Sequence, residues 1–201
     1  MDKRDILKKV IENGGGIAKT SDFAANGIDK YEVAFFCKEG FIERIRRGYY
    51  QLPQSHSATE EQLIHELLPQ GIICMESALF HYGYSDFTPR KWSIAMPRTA
   101  SRVVKNFNEF PIKAYYIQQD YMYIGKSTSD FNGVMLTVYD RERTICDCFK
   151  YRTKLDSEIF NKAVNAYAVD EKKNLINLSK YAKEMKLYAK VMNVMEVLLN
   201  G

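Results

Sequence analysis

The sequence predicts an α+β protein. A winged helix-turn-helix over residues 1–52 is followed by a larger α+β domain over 58–201, with a small central sheet and a helical C-terminus. Three observations carry this expectation. The first fifty residues run helix, glycine stop, short helix, second helix and arginine-rich hairpin. Strand-like runs then cluster between residues 92 and 138. After Asp140 the periodicity is helical to the end. A chain of 201 residues suits two compact domains, and a hydrophobic content of 46% is enough for two cores. The polar segment 53–57, opened by Pro53, reads as the linker.

The first helix carries an apolar stripe of Ile6, Leu7, Val10 and Ile11, with Lys3, Lys8, Lys9 and Glu12 opposite. Gly14-Gly15-Gly16 ends it, because glycine accepts the positive φ of a helix stop. The triplet follows a helix rather than a strand, so it is not read as a phosphate loop. A short helix follows, with Thr20 or Ser21 as its N-cap, Phe23 and Ala24 facing inward, and Asn26-Gly27 as its stop. Asp29-Lys30-Tyr31-Glu32 then forms a reciprocal cap for a helix running to Gly40. Val33, Phe36 and Cys37 share its inner face. Lys30, Tyr31, Ala34 and Lys38 share the other, with Phe35 near the margin. A small residue at 34 flanked by these side chains lets a helix approach a major groove closely.

Phe41 to Leu52 alternates apolar and polar residues as a half-buried hairpin does, with the turn at Arg47-Gly48. Arg44, Arg46 and Arg47 cluster beside that turn, next to Tyr49, where guanidinium groups can clamp phosphates or enter a minor groove. Net charge does not make this argument. The whole chain carries only +4, and residues 1–50 hold ten Lys and Arg against eight acids. Placement makes it. These features predict contacts to double-stranded DNA from Thr20, Ser21, Lys30, Tyr31, Ala34, Phe35, Lys38, Arg44, Arg46, Arg47 and Tyr49.

In the second domain, helices are expected over 59–68 and 75–82, strands over 92–96, 112–117 and 134–138, and helices over 141–151, 157–168, 175–185 and 188–200. Residues 89–113 hold six basic side chains, including Arg90, Lys91, Arg98, Arg102 and Lys105, against Glu109 alone. They read either as an extension of the DNA-binding surface, from a loop around Thr99-Ala100-Ser101, or as an ordinary solvated loop. Met185, Met192, Met195 and Leu198 form a stripe that reads as core, or as an adaptable docking face.

Signatures of covalent chemistry are missing. Gly125-Lys126-Ser127 ends like a phosphate loop, but Asp120 stands where that motif needs glycine. Cys146 and Cys148 are separated by one residue, poor zinc spacing, and His56, His65 and His81 accompany no nucleophile signature. No cofactor, no metal and no enzyme activity are expected. The charged N-terminus, the lack of a membrane-length apolar run and cysteines set within apolar segments predict a cytoplasmic protein with reduced thiols.

Several motifs in order carry a family resemblance. They are Gly16-Ile17, Gly27-Ile28, Lys38-Glu39-Gly40 and Arg47-Gly48-Tyr49-Tyr50; then Glu76 to Gly83 and Trp92 to Arg98; then Asp140 to Asp147. With them the chain resembles the AbiE-type (AbiEi family) antitoxins of bacterial type IV toxin–antitoxin and abortive-infection systems, linked to phage resistance. The resemblance implies a transcriptional autorepressor that binds repeated sites in its promoter. It also implies an antitoxin that counters a nucleotidyltransferase-like toxin of the same operon without a stable complex; direct binding of the toxin through the C-terminal helices is the alternative. A monomer or weak dimer is expected in solution. The antitoxin-domain motif is Glu142, Arg143, Thr144 and Asp147. It reads as catalytic, or as a capped and ion-paired helix start with Asp140 as the cap and Arg143 paired to Asp147 one turn on.

Overall fold

The computed structural model describes residues 2–53 and 58–200; apart from Pro53, the expected linker lies outside the described residues. The chain is α+β and falls into two compact units. The first comprises the described residues to Pro69 together with Phe131–Val134, and the second comprises Gln70–Asp130 and the described residues from Met135 onward.

In the first unit the order is α1 (Lys3–Asn13), β1 (Ala18–Lys19), α2 (Thr20–Ala25), α3 (Lys30–Lys38), β2 (Glu43–Arg46), β3 (Tyr49–Gln51) and α4 (Glu60–Leu67). The stripe on α1 is buried as its spacing requires: Leu7 and Ile11 fully, Ile6 and Val10 in part. They meet Phe23 of α2, Val33 and Phe36 of α3, and Ile28, Ile42 and Leu52. Asp29 caps α3 by accepting from the N–H groups of Tyr31 and Glu32, while Glu32 accepts from Asp29 N–H at 3.0 Å. The start of α2 differs from expectation. Its N-cap is Lys19, whose N–H donates to the Asp22 carboxylate at 2.8 Å, and Ala24 is exposed, because a helix of six residues turns one face inward and Phe23 fills it. The strands form an antiparallel sheet in the order β1-β3-β2.

The second unit contains β4 (Ile72–Ile73), α5 (Met75–His81), β5 (Trp92–Pro97), α6 (Ser101–Lys105), β6 (Ile112–Ile117), α7 (Gln119–Met122), β7 (Lys126–Phe131), β8 (Val134–Tyr139), α8 (Arg141–Lys150), α9 (Ser157–Val169), α10 (Leu175–Glu184) and α11 (Tyr188–Asn200). Its sheet runs β6-β5-β4-β8-β7, with β5 parallel to β6, β4 parallel to β8 and β4 antiparallel to β5. Cys74, Met75, Leu79, Tyr139, Ile145, Phe149, Phe160, Val164, Leu178, Val191 and Met195 pack into one core.

The helix α8 is the centre of that core, although its sequence is rich in charge. Glu142 through Phe149 are all buried. Each polar side chain there has a partner. Arg143 N–H donates to the capping Asp140 at 2.8 Å; Glu142 accepts from Asn174 N–H at 2.7 Å and from the Tyr167 hydroxyl at 3.1 Å; the Thr144 hydroxyl donates to the Tyr139 carbonyl at 3.3 Å. Arg143 Nε donates to Asp147 at 3.1 Å, its Nη1 to the carbonyls of Tyr121 and Ile124 at 2.7 and 2.8 Å, and its guanidinium lies 4.0 Å from the centre of the Tyr139 ring. These bonds anchor the α7–β7 connection to α8. They match the structural reading of the motif.

Gly125 makes that anchorage sterically possible. At φ +66°, a Cβ here would stand 2.4 Å from Arg143 Cβ and 2.8 Å from an Asp140 carboxylate oxygen. Gly125→Ala is therefore expected to lower the free energy of urea unfolding by about 2–4 kcal/mol, through overpacking added to backbone strain. Gly133→Ala, at φ +85° with nothing within 4 Å, supplies the strain alone and is expected to cost less. Equal losses in the two variants would show that crowding against Arg143 is not what excludes a side chain at 125.

Candidate nucleic-acid interface

The outward face of α3 is built by helical spacing. Residues 30, 31, 34, 35 and 38 fall on one side of a helix whose other side is held by Val33 and Phe36. Lys30, Tyr31, Ala34, Phe35 and Lys38 are all exposed; Tyr31 retains 73% and Phe35 55% of its accessible surface. Lys30 Nζ sits 5.0 Å from the Tyr31 ring centre, and Phe35 meets Phe36 edge-on with ring centres 5.4 Å apart. The nearby acids are engaged. Asp29 holds the helix cap, and Glu32 pairs with Lys3.

Beside this face the hairpin turns at Arg47-Gly48, with Gly48 at φ +84°. Arg44 pairs with Tyr50 and Arg46 with Tyr49, so Ile45 forms a bulge that breaks the strict alternation expected from the sequence. Arg44 and Arg47 are exposed and Arg46 half-buried; Arg44 Nε donates to the Arg46 carbonyl at 3.3 Å. Among the described residues no carboxylate forms an ion pair with Lys30, Lys38, Arg44 or Arg47.

Three of the expected contact residues also serve inside the unit. Thr20 donates through its N–H to the Gly48 carbonyl at 3.0 Å and through its hydroxyl at 3.5 Å, tying the start of α2 to the tip of the hairpin. The Ser21 hydroxyl donates to Asp22 at 3.3 Å. Tyr49 directs its hydroxyl to the Glu66 carbonyl at 3.5 Å, and Lys19 Nζ lies 5.8 Å from its ring centre.

The partner of Tyr49 is a feature the sequence reading missed. Helix α4 follows the expected linker, yet it belongs to the first unit, where it braces the hairpin. Lys19 Nζ pairs with Glu66 at 2.9 Å, and Glu61 accepts from Asn132 at 2.7 Å. Burial alone would raise the Glu66 carboxyl. The bonds from Lys19 and from His65, whose Nδ1 is 3.0 Å away, outweigh it and hold that carboxyl below its usual value. Nothing in the spacing of α4 announces this, because the bond partners lie 17 and 47 residues away.

In the second unit, residues 98–105 are helical rather than the loop expected: a 3-10 turn at Arg98–Ala100 runs into α6. No glycine or proline interrupts this stretch, and buried Ala100 anchors it. Arg98, Arg102 and Lys105 are thereby spaced four and three apart, on one exposed helical face. Arg90 and Lys91 are exposed just before β5, whereas Lys113 is held by Glu76 at 2.6 Å. Glu76 also accepts from the hydroxyls of Ser93 and Tyr115, each at 3.0 Å, so two of the resemblance motifs meet in one polar cluster.

Other candidate chemistry is absorbed into packing. Cys146 and Cys148 are buried free thiols, the former pushed up to about 12 by burial, and no group of three His, Cys, Asp or Glu among the described residues could hold a metal ion. Lys126 and Ser127 lie on strand β7 rather than on a loop ahead of a helix. Met185 and Met195 are core residues, with Met192 and Leu198 packed against them. No helix among the described residues is long and apolar enough to cross a membrane.

Residues 5–53 match a family model described as "Transcriptional regulator, AbiEi antitoxin", covering α1 through β3. Over those residues the chain is similar to that family. That family is regulatory and is not an enzyme family. None of the curated proteins compared with the chain matches it. Among solved structures, the RV2827C protein from Mycobacterium tuberculosis is similar, with a TM-score of 0.62 and 10% identity over 96% of this chain and 80% of that one. The likeness extends to the fold well beyond the AbiEi module.

The bracing of the N-terminal module by α4 is testable through Glu66. Because its carboxyl is held low, the stabilisation it supplies is present above the ordinary carboxylate range and disappears as pH falls through it. Glu66→Gln is expected to destabilise the protein to urea by up to about 1 kcal/mol at pH 7, given a partly exposed pair, and by nothing once the wild-type carboxylate is protonated. A loss that persists unchanged into acid would contradict the ion-pair account.

Proposed function

We propose that this protein is a DNA-binding autorepressor and antitoxin, with repression in residues 1–52 and antitoxin activity in 58–201. Helix α3 enters the major groove through Lys30, Tyr31, Ala34, Phe35 and Lys38. The hairpin holds adjacent phosphates or the minor groove through Arg44, Arg46 and Arg47, and Thr20, Ser21 and Tyr49 border the contact. The observation that carries this reading is the exposed face of α3, with Lys30 and Lys38 at its ends and with Arg44 and Arg47 exposed on the hairpin, on a module that matches a transcriptional regulator family. Arg90, Lys91, Arg98, Arg102 and Lys105, in the second unit, supply further contacts to phosphates.

The target is double-stranded promoter DNA with repeated sites, bound by a monomer or weak dimer in the cytoplasm. The toxin is nucleotidyltransferase-like, encoded in the same operon, and neutralised without a stable complex. Its support is the motif resemblance of the second unit. Glu142, Arg143, Thr144 and Asp147, all buried, contribute there by holding α8 and the α7–β7 connection in place rather than by catalysis.

Gel-shift titration on the duplex upstream of the coding frame tests the repressor. Lys38→Ala is expected to reduce discrimination between that duplex and scrambled DNA by about 1–3 kcal/mol. Arg47→Ala is expected to weaken binding to both alike, and to flatten the salt dependence by about one unit of log-log slope. Unchanged affinity and slope in Arg47→Ala would remove the hairpin from the interface.

A further inference from the structure

The outward face of α3 has an unusual chemistry for a groove-reading helix. Its only side chains that pair with base edges are the lysines at its two ends, for arginine, asparagine and glutamine are absent from Lys30–Lys38. The face offers two ammonium groups at its ends and, between them, an aromatic pair around an alanine. Tyr31 and Phe35 hold most or half of their surface in solvent, although burying each would be favourable. The cap at Asp29 and the pair between Glu32 and Lys3 leave those acids engaged, and Lys30 and Lys38 bring positive charge to the two ends of the aromatic patch.

A polyanion with an apolar feature at the bottom of its groove complements such a surface. In the major groove that feature is the 5-methyl group of thymine. Resting on the repressor reading above, we infer that α3 selects its operator by apolar contact of Tyr31, Ala34 and Phe35 with thymine methyl groups, beside the base-edge contacts of its lysines, while the arginines of the hairpin hold phosphates. Residues 31 and 35 are one helical turn apart, roughly 6 Å along the axis, which spans about two base-pair steps. The operator half-site therefore carries thymines within two or three base pairs of each other, on the groove wall facing this helix. Hydrogen-bond readout of guanine or adenine by α3 is secondary.

The test uses the full chain and the duplex immediately upstream of its coding frame, amplified once with dTTP and once with dUTP. Uracil keeps every hydrogen bond of thymine and lacks the methyl group. The wild-type protein is expected to bind the uracil duplex more weakly, by about fourfold for each thymine methyl group that α3 would otherwise cover. A Tyr31→Ala/Phe35→Ala variant, altered only at exposed positions, is expected to bind the thymine duplex more weakly than wild type and to lose less than wild type does on uracil. Equal wild-type affinity for the two duplexes, with competition by scrambled DNA still poor, overturns the inference and leaves the repressor reading standing. An equal loss on uracil in wild type and variant also overturns it, because the effect then belongs to the mechanics of the duplex. Failure to distinguish the upstream duplex from scrambled DNA overturns the repressor reading and this inference with it.

Discussion

The short pairing of β1 with β3 is the constraint on which the first unit depends. Only Ala18 and Lys19 take part, opposite Tyr50 and Tyr49, and the next residue, Thr20, binds the carbonyl of Gly48 at the tip of the hairpin. The hairpin would otherwise be a two-stranded ribbon of marginal stability. With β1 added it becomes a three-stranded sheet whose central strand, β3, is fixed directly to the entry of α2. The position of the arginine turn relative to α2 and α3 is then set by backbone bonds. Lys19 repeats the arrangement at the side-chain level, reaching Glu66 on α4 and lying over the ring of Tyr49.

A different constraint organises the second unit. A helix that reads as hydrophilic, Arg141–Lys150, occupies the middle of the core, and its charged side chains are spent on holding neighbouring segments. Arg143 bridges α8 to the carbonyls of Tyr121 and Ile124, while Glu142 receives the N–H at the start of α10. Buried pairs of this kind add little net stability, and losing one partner costs several kcal/mol because the other charge stays uncompensated. A motif of charged residues with regular spacing resembles catalytic machinery in a sequence. Here the residues of that motif lie deep in the core.

Much of this architecture was legible in the sequence, and the pattern of success is physical. The helices from Lys3 to Lys38 follow from apolar spacing and a reciprocal cap, and strands β5, β6 and β8 follow from runs of five or six residues that are mostly apolar or aromatic. Strands β1 and β4 have two residues each, too few for any periodicity, and β7 is polar along most of its length because it lies at the sheet edge. Residues 98–105 looked like a loop for their small polar side chains, although nothing in them breaks a helix. For the interface, the side chains of α3 and the hairpin were readable one by one. The membership of α4 in that unit was not, since its bonds to Lys19, Tyr49 and Asn132 join positions far apart in the chain.

The central claim is that α3 and the hairpin together form the surface that meets duplex DNA. Amide hydrogen exchange on the full chain, with and without the upstream duplex, tests it most directly. The account predicts that slowed exchange on DNA addition centres on residues 30–38 and 44–51. Slowing confined to the second unit, with those two segments unchanged under saturating DNA, would contradict it.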